Sequence, residues 1–200
     1  KQLQPIETIA GFWPLFGGLA MKSNVPLLVK SLTDPNKFWS ELPIPSLSMD
    51  HPRHSKEIWN GPVVLSQNLW IITGLKRYNL NKIAAQITRK IFQYLNSSFD
   101  LYRGVFSYYP AMSFNVNSVT ASNKPIEKSP LYDSTAYYSC PIHALFYQGM
   151  LGVEVLDNSI NFVPDWDVLE KEINFSFYYR QKKREEYLSK MDKKIVEIHE

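Results

Sequence analysis

Trp59, Asn60, Gly61 and Pro62 combine an aromatic ring with a side-chain amide on one short segment. An indole can stack on the apolar face of a ring-shaped ligand while an amide hydrogen-bonds its hydroxyls, so these residues are candidates for a ligand pocket. The alternative is a turn that starts a helix, with Pro62 at the first helical position and the tryptophan packed in the core. Asp50 either bonds a ligand hydroxyl or fixes the proline-rich loop, residues 41–62, that contains it.

Other residues with catalytic or metal-binding potential lack the partners that such chemistry requires. His51 and His54 have i, i+3 spacing, but no cysteine lies nearby and the setting is not helical, which favours ordinary loop histidines over a metal pair. Ser107 has no elbow motif around it, which argues against a serine nucleophile. The sequence therefore predicts no catalytic residue, no metal site and no cofactor within this chain.

The composition is that of a folded protein, with 44% hydrophobic and 20% charged residues among 200. Aromatic residues make up 14%, which suits ligand contact but also an ordinary core. The net charge of +3 comes largely from a short charged stretch near the end, so we expect no nucleic-acid partner. No apolar run approaches the roughly 18 residues of a membrane helix, so no membrane partner is expected. Cys140 is alone, which excludes an internal disulfide and fits a reducing compartment such as the cytoplasm.

The candidate residues lie on two long loops, over residues 41–62 and 96–133, that separate helical segments. The clearest helix covers residues 80–95, where apolar residues recur every three or four positions. Further predicted helices cover residues 25–32, 63–78 and 134–151, and a broken or closely packed helix, interrupted by Pro14 and Gly17-Gly18, covers residues 6–20. Alternation of apolar and polar residues predicts strands over residues 161–163, 172–179 and 194–198.

The fold class is therefore mainly α, with helices over residues 1–152 and a small β-rich tail over residues 153–200 packing on them. So few helices cannot easily bury both faces of the apolar helix 63–78. We expect upstream helices or a partner chain to cover it. The chain opens with Lys1 and not Met, which fits an upstream segment that is not included.

Three segments resemble motifs of glycoside hydrolase family 63 and its trehalase-like relatives. The segment GFWPLFGGLA, residues 11–20, resembles "PL-x-x-G-x-A", and PIPSLSMDHP, residues 43–52, resembles the loop "GIPS-x-S-x-DDP". The segment IWNGPVV, residues 58–64, continues into Asn68 and GLKRY, residues 74–78, and resembles "YW-[RN]-GP-x-W…N…GL-x-RYG". The motifs occur in the family's order and at its spacing, over roughly the first 80 residues, with weaker agreement to about Pro164.

This resemblance implies part of an (α/α)6 toroid around a pocket for a terminal sugar. Such enzymes invert the anomeric centre with two carboxyl groups, about 6.5–9.5 Å apart. The family's general acid lies upstream of the first motif, where residues 1–10 offer only Glu7. Its general base begins a segment resembling "EYYNP", and the matching residues 104–110 place Ser107 where that glutamate belongs. A serine hydroxyl cannot act unaided as a general base near neutral pH.

Further departures affect the pocket walls: Val64 replaces the second tryptophan of "GP-x-W", His51 replaces the second aspartate of "DDP", and residues 136–139 lack the tryptophan of "FSW". The resemblance implies a fragment of an inverting, exo-acting hydrolase of α-linked glycosides that is inactive alone. The residues that this resemblance implies for binding the carbohydrate ligand are Trp59, Asn60, Gly61, Pro62, Asp50, Tyr108 and Ser107. The alternatives are a non-catalytic carbohydrate-binding or structural module on a degenerate glycosidase scaffold, and a helical interaction protein that shares only a packing pattern.

Overall fold

The computed structural model describes residues 7–55, 59–102, 108–109, 111, 140–155, 159–164, 169, 173–179, 182–188 and 194–197. The helices are a 3-10 turn over Ile9–Phe12, α1 over Trp13–Phe16, α2 over Val25–Leu32, α3 over Leu65–Arg77, α4 over Asn81–Tyr102, and α5 over Cys140–Ala144, which continues as a π-helix over Leu145–Met150. The strands are β1 over Val63–Val64, β2 over Tyr108–Tyr109, β3 over Val153–Val155, β4 over Ser159–Phe162, β5 over Ile173–Tyr179, β6 over Lys182–Leu188 and β7 over Lys194–Glu197. The described part of the chain is mainly helical, as predicted.

The first helical segment is broken, which confirms the prediction for residues 6–20. The 3-10 turn passes into the short α1, and Gly18 follows with φ of 68°, a conformation that glycine adopts without steric cost. Leu15 is fully buried and packs α1 against α3. A Cβ at Gly74 of α3 would come within 2.6 Å of the Phe16 nitrogen, so this close approach requires a glycine.

The helix predicted over residues 63–78 begins two residues later than expected. Val63 and Val64 form β1 because Val64 is extended, with φ of −105° and ψ of 115°, and pairs with β2. A strand of two residues is too short to produce a recognisable alternation in the sequence. The prediction for these two residues was wrong, and α3 itself covers Leu65–Arg77.

Helix α4 is longer than predicted. The sequence favoured a loop from Asn96, but the helix continues to Tyr102. No glycine or proline lies between residues 96 and 102 to stop it. The Ser97 hydroxyl donates a 3.2 Å hydrogen bond to the Gln93 carbonyl one turn earlier, a bond that is compatible with a helix.

The core lies where α1, α3, α4 and the loop before β1 meet. Ile71, Ile72 and Leu75 of α3 and Ile87 and Ile91 of α4 are almost completely buried. The expectation that α3 presents an uncovered apolar face is therefore wrong for these residues, because this chain buries them itself. The exposed apolar surface of α3 is Trp70, which is 38% exposed.

The start of the helix predicted over residues 134–151 lies outside the described residues, and its described part is α5 with its π-helical extension. The extension docks on α3 and α4. Lys76 donates hydrogen bonds of 2.7 and 2.8 Å to the Gln148 and Gly149 carbonyls. Gly152 ends the segment with φ of 58°, a left-handed conformation that is typical of a terminating glycine.

The described strands after the helices form two small antiparallel sheets, one in the order β3-β4-β7 and one that pairs β5 with β6. Ile160 and Phe162 of β4 are buried. The strands predicted over residues 172–179 and 194–198 agree with β5 and β7, and the one predicted over residues 161–163 overlaps the end of β4, whereas β3 and β6 were missed. The prediction that these strands form one tail that packs on the helices remains a prediction. The (α/α)6 toroid also remains a prediction. Among the described residues, no helix is both long and apolar enough to span a membrane.

Candidate functional site

Two of the sequence motifs meet at the β1–β2 pair. Val63 pairs with Tyr109 and Val64 with Tyr108 in antiparallel register. The strand that follows Pro62 therefore lies beside the strand that follows Ser107. Tyr109 is fully buried and packs edge-to-face on Tyr94, with ring centroids 5.2 Å apart. Tyr108 is placed by its backbone register alone, and Ser107 lies outside the described residues.

Asn68 fastens the proline-rich loop to α3. Its side chain is completely buried. The Ile44 amide donates to Asn68 Oδ1 at 2.8 Å, and Asn68 Nδ2 donates to the carbonyls of Ile44 and Val64 at 3.1 and 3.2 Å. An amide that both accepts and donates satisfies buried backbone groups of the loop and of β1 together. This explains the asparagine in the motif, to which the sequence alone assigned no role.

Ser46 joins the same loop to the turn that carries the candidate residues. The Gly61 amide donates to Ser46 Oγ at 3.0 Å, and the Ser46 amide donates to the Pro62 carbonyl at 3.1 Å. A Cβ at Gly61 would overlap the Ser55 carbonyl oxygen, so only glycine fits. Gly61 and Pro62 are buried, and we place them in the support of the turn rather than on its surface.

Trp59 and Asn60 are the exposed residues of this turn. Trp59 is 57% exposed and has φ of 71°, a left-handed conformation that is unusual for a bulky side chain. The structure therefore contradicts the alternative prediction that Trp59 packs in the core. The Ser55 amide donates to the Asn60 carbonyl at 2.6 Å, which closes the turn. The side chain of Asn60 is exposed.

Asp50 is exposed and accepts a 2.5 Å hydrogen bond from the Ser48 hydroxyl. This bond lies within the proline-rich loop, so Asp50 contributes to fixing the loop, which is one of the two roles considered for it from the sequence. His51 accepts a bond at Nδ1 from the Arg53 amide, also within the loop. Among the described residues, no group of three or more histidine, cysteine or acidic side chains is arranged to hold a metal ion.

The start of the loop is held by Lys90 of α4. Its ammonium donates to the Ser40 carbonyl at 3.1 Å and lies 5.1 Å from the centre of the Trp39 ring. Burial lowers the pKa of Lys90, against the smaller opposing effect of Glu41. The Leu42 amide donates to the Ala111 carbonyl, which ties the loop to the chain just after β2.

Glu7, the one carboxyl that the sequence offers near the position of the upstream acid, is engaged elsewhere. Its Oε1 is 2.6 Å from the Lys37 ammonium and its Oε2 accepts from the Ser31 hydroxyl at 3.0 Å. The hydrogen bond to Glu7 raises the pKa of Lys37. These contacts hold the segment before α1 against α2 and the region that follows it, so Glu7 is engaged in a structural ion pair.

The motifs that form this turn and loop are those of a glycoside hydrolase-like protein. Residues 1–109 match the model of the family described as "Mannosylglycerate hydrolase MGH1-like glycoside hydrolase domain". The match covers more than half of the 200 residues. The chain therefore belongs to this family of MGH1-like glycoside hydrolase domains.

Relatives with known names are much longer than the matched segment. The chain is 30% identical over 111 residues to the mannosylglycerate hydrolases MGH1 and MGH2 of Selaginella moellendorffii, a match that covers 54% of this chain and 21% of each relative. A crystal structure of GH63 mannosylglycerate hydrolase from Thermus thermophilus in complex with glucose is 25% identical, with a TM-score of 0.44, over 55% of this chain and 26% of that chain. A sialidase structure is 13% identical with a TM-score of 0.60, over 80% of this chain and 15% of the other, which is a likeness of fold alone.

Proposed function

We propose that this chain carries the sugar-binding part of an inverting, exo-acting glycosidase of α-linked glycosides, on a partial (α/α)6 toroid, and that it does not hydrolyse them alone. The observation that carries the proposal is the exposed Trp59, held at φ of 71° within a motif of the family. The substrate class comes from the relatives, which are named mannosylglycerate hydrolases. An α-mannoside is therefore the first ligand to test.

The turn has the properties of a platform for a pyranose ring. A left-handed backbone at a tryptophan costs about 1–3 kcal/mol, and such strain persists where the surroundings determine the conformation. Here Gly61 and Asn60 are held by Ser46 and Ser55. The indole is presented to solvent rather than to the core, and stacking on the apolar face of a sugar would cover it. Asn60 would supply a donor and an acceptor for the hydroxyls.

Hydrolysis would require two carboxyl groups on opposite sides of the sugar. Ser107, at the position of the family's base, offers a hydroxyl that remains protonated at neutral pH. Glu7 is ion-paired with Lys37. We therefore assign no catalytic residue to this chain and expect both carboxyls to come from other parts of a complete enzyme.

An exposed aromatic surface supports a partner in that assembly. Trp13, Phe16 and Trp70 lie together, with Trp13 edge-to-face on Trp70 at 5.5 Å and Phe16 stacked on it at 6.0 Å. They are 41%, 40% and 38% exposed. We name this surface the Trp13 patch and propose that upstream toroid helices or a partner chain cover it. The β-rich tail, residues 153–200, would pack on the helices as a separate unit.

The alternative function is a carbohydrate-binding module that has lost the chemistry. Both functions require sugar binding at Trp59, and only the first requires hydrolysis once the missing carboxyls are supplied. The replacement of the base by Ser107 favours the alternative, because a complete toroid would still lack that group at its expected place.

The test is hydrolysis of α-mannosides, α-glucosides and mannosylglycerate, followed by NMR with the longest natural form of the protein. Release of the inverted anomer faster than in buffer would support the glycosidase. If this chain alone released it, our assignment of no catalytic residue would be contradicted. Saturable chemical-shift changes without turnover would support binding. If the protein neither hydrolysed nor bound any of these sugars, both functions would be excluded.

A further inference from the structure

The tautomer of His54 is fixed by its contact within the proline-rich loop. Its Nδ1 lies 3.1 Å from the Leu47 carbonyl oxygen. A carbonyl oxygen can only accept a hydrogen bond, so Nδ1 must carry the proton. In the neutral ring, Nε2 then has no proton and is a hydrogen-bond acceptor.

This acceptor lies beside the Trp59 turn. A Cβ built on Gly61 would meet His54 Nε2 at 3.0 Å and Cε1 at 3.1 Å, so the imidazole edge rests against the backbone that follows Asn60. The ring is half-buried. No hydrogen bond from the described residues to Nε2 is present, since the bond to Leu47 is made at the other nitrogen.

His51, three residues earlier, has the opposite arrangement. Its Nδ1 accepts a 3.1 Å bond from the Arg53 amide, which leaves the proton of the neutral ring on Nε2. The Arg53 bond is local and supports a loop turn. The two histidines therefore differ in chemistry, and only His54 combines a fixed tautomer with a position against the turn that carries Trp59.

We infer that His54 Nε2 accepts a hydrogen bond from a hydroxyl of the sugar that stacks on Trp59. The inference rests on the proposed function, because it assigns a further ligand contact to the same turn. Trp59 supplies an apolar surface that does not distinguish hydroxyl orientations well. An acceptor of fixed direction beside it would discriminate between sugars by whether a hydroxyl reaches Nε2.

The substitution His54→Asn tests this contact. The asparagine amide nitrogen takes approximately the place of Nδ1 and can still donate to Leu47, while the acceptor at Nε2 is lost. We expect an unchanged Tm and a Kd for methyl α-D-mannopyranoside that rises about 5- to 10-fold, the equivalent of one hydrogen bond. His51→Asn is the matched control, since its Oδ1 can still accept from Arg53, and its Kd should equal that of the unsubstituted protein.

A second measurement does not depend on any variant. Nitrogen-15 NMR of the unsubstituted protein should show His54 protonated at Nδ1, and its Nε2 resonance should shift as methyl α-D-mannopyranoside is added. Binding with an unmoved Nε2 resonance, or equal affinity in His54→Asn, would overturn the inference and leave the proposed function intact. Absence of sugar binding by the unsubstituted protein would remove the proposed function itself, and this contact with it.

Discussion

Trp59 holds a backbone conformation that a bulky side chain rarely adopts, and it does so at the surface. The residues around it hold this conformation: Ser55 closes the turn onto Asn60, and Ser46 receives the Gly61 amide. A position that needed only to connect two elements would gain from an asparagine or glycine at this φ. The presence of tryptophan instead is the reason we assign the turn to a ligand.

Gly61 should be intolerant of any side chain. A Cβ there would overlap the Ser55 carbonyl oxygen, a backbone atom that can move only if the turn opens. We expect Gly61→Ala to lower the free energy of unfolding by about 1–3 kcal/mol and to abolish sugar binding. The measurements are chemical denaturation and a sugar titration.

Gly11→Ala is the control for that substitution, because a Cβ at Gly11 would meet nothing within 4 Å. Its free energy of unfolding should stay within about 0.5 kcal/mol of the unsubstituted value. Equal stability of the two variants would show that the turn is not held as tightly as the structure indicates.

The sequence identified the exposed candidate residues but not the side chains whose hydrogen bonds hold the loop and turn in place. Trp59 and Asn60 were chosen from residue type and motif, and both are exposed. Asn68 and Ser46 were not chosen, although each bonds backbone groups 15 or more positions away. Such long-range pairs leave no periodicity in a single sequence. The contact of His54 with Gly61 was missed for the same reason.

At the scale of elements, the end of α3 connects three parts of the fold through side chains that reach backbone carbonyls. Lys76 bonds the end of the π-helix, Arg77 donates to Phe16 at 2.7 Å, and the Tyr78 hydroxyl donates to Ala20 at 2.8 Å. Carbonyls at helix ends lack partners within their own helix, so cations placed there are stabilising. The segment GLKRY is thus explained by docking rather than by sugar contact.

Lys76→Ala should loosen the π-helical extension. It removes bonds of 2.7 and 2.8 Å from an ammonium group to the Gln148 and Gly149 carbonyls, so we expect a loss of about 1.5–3 kcal/mol in the free energy of unfolding. Amide hydrogen exchange should become faster in residues 145–151. Lys82→Ala, at an exposed position of α4, should change neither quantity. Unchanged exchange in Lys76→Ala would contradict this role.

Lys90 should make stability depend on pH in the alkaline range. Burial lowers its pKa in the folded state below the ordinary 10.5, so protonation costs stability relative to the unfolded chain. That cost disappears as pH rises from the lowered folded pKa towards 10.5. The free energy of unfolding of the unsubstituted protein should therefore rise relative to that of Lys90→Met across this window. A relative fall in the same denaturation series would contradict the direction of the shift.

Helices were predicted more accurately in their interiors than at their ends. The interior of α4 has a clear apolar stripe, whereas the polar residues Asn96 and Ser97 favoured a loop although the helix continues past them to Tyr102. The start of α3 moved because Val63 and Val64 pair with β2, which lies more than 40 residues later in the chain. Pairing of two-residue strands depends on tertiary contacts that local sequence does not encode.

For the whole molecule, the matched segment spans about a fifth of the length of the curated relatives. We propose that the Trp13 patch is a surface between this chain and further helices of a toroid. The residues of this patch could not be identified from the sequence, which predicted that the uncovered apolar face lies on α3. The structure instead buries most of α3 and leaves Trp13, Phe16 and Trp70 partly exposed.

We claim that the Trp59 turn binds a sugar, and isothermal titration with methyl α-D-mannopyranoside tests this most directly. We expect saturable binding by the unsubstituted protein and a Kd at least about tenfold weaker in Trp59→Ala. Phe99→Ala, which removes another exposed aromatic residue, should bind normally. Equal affinity in Trp59→Ala, or no binding by the unsubstituted protein, would contradict this claim.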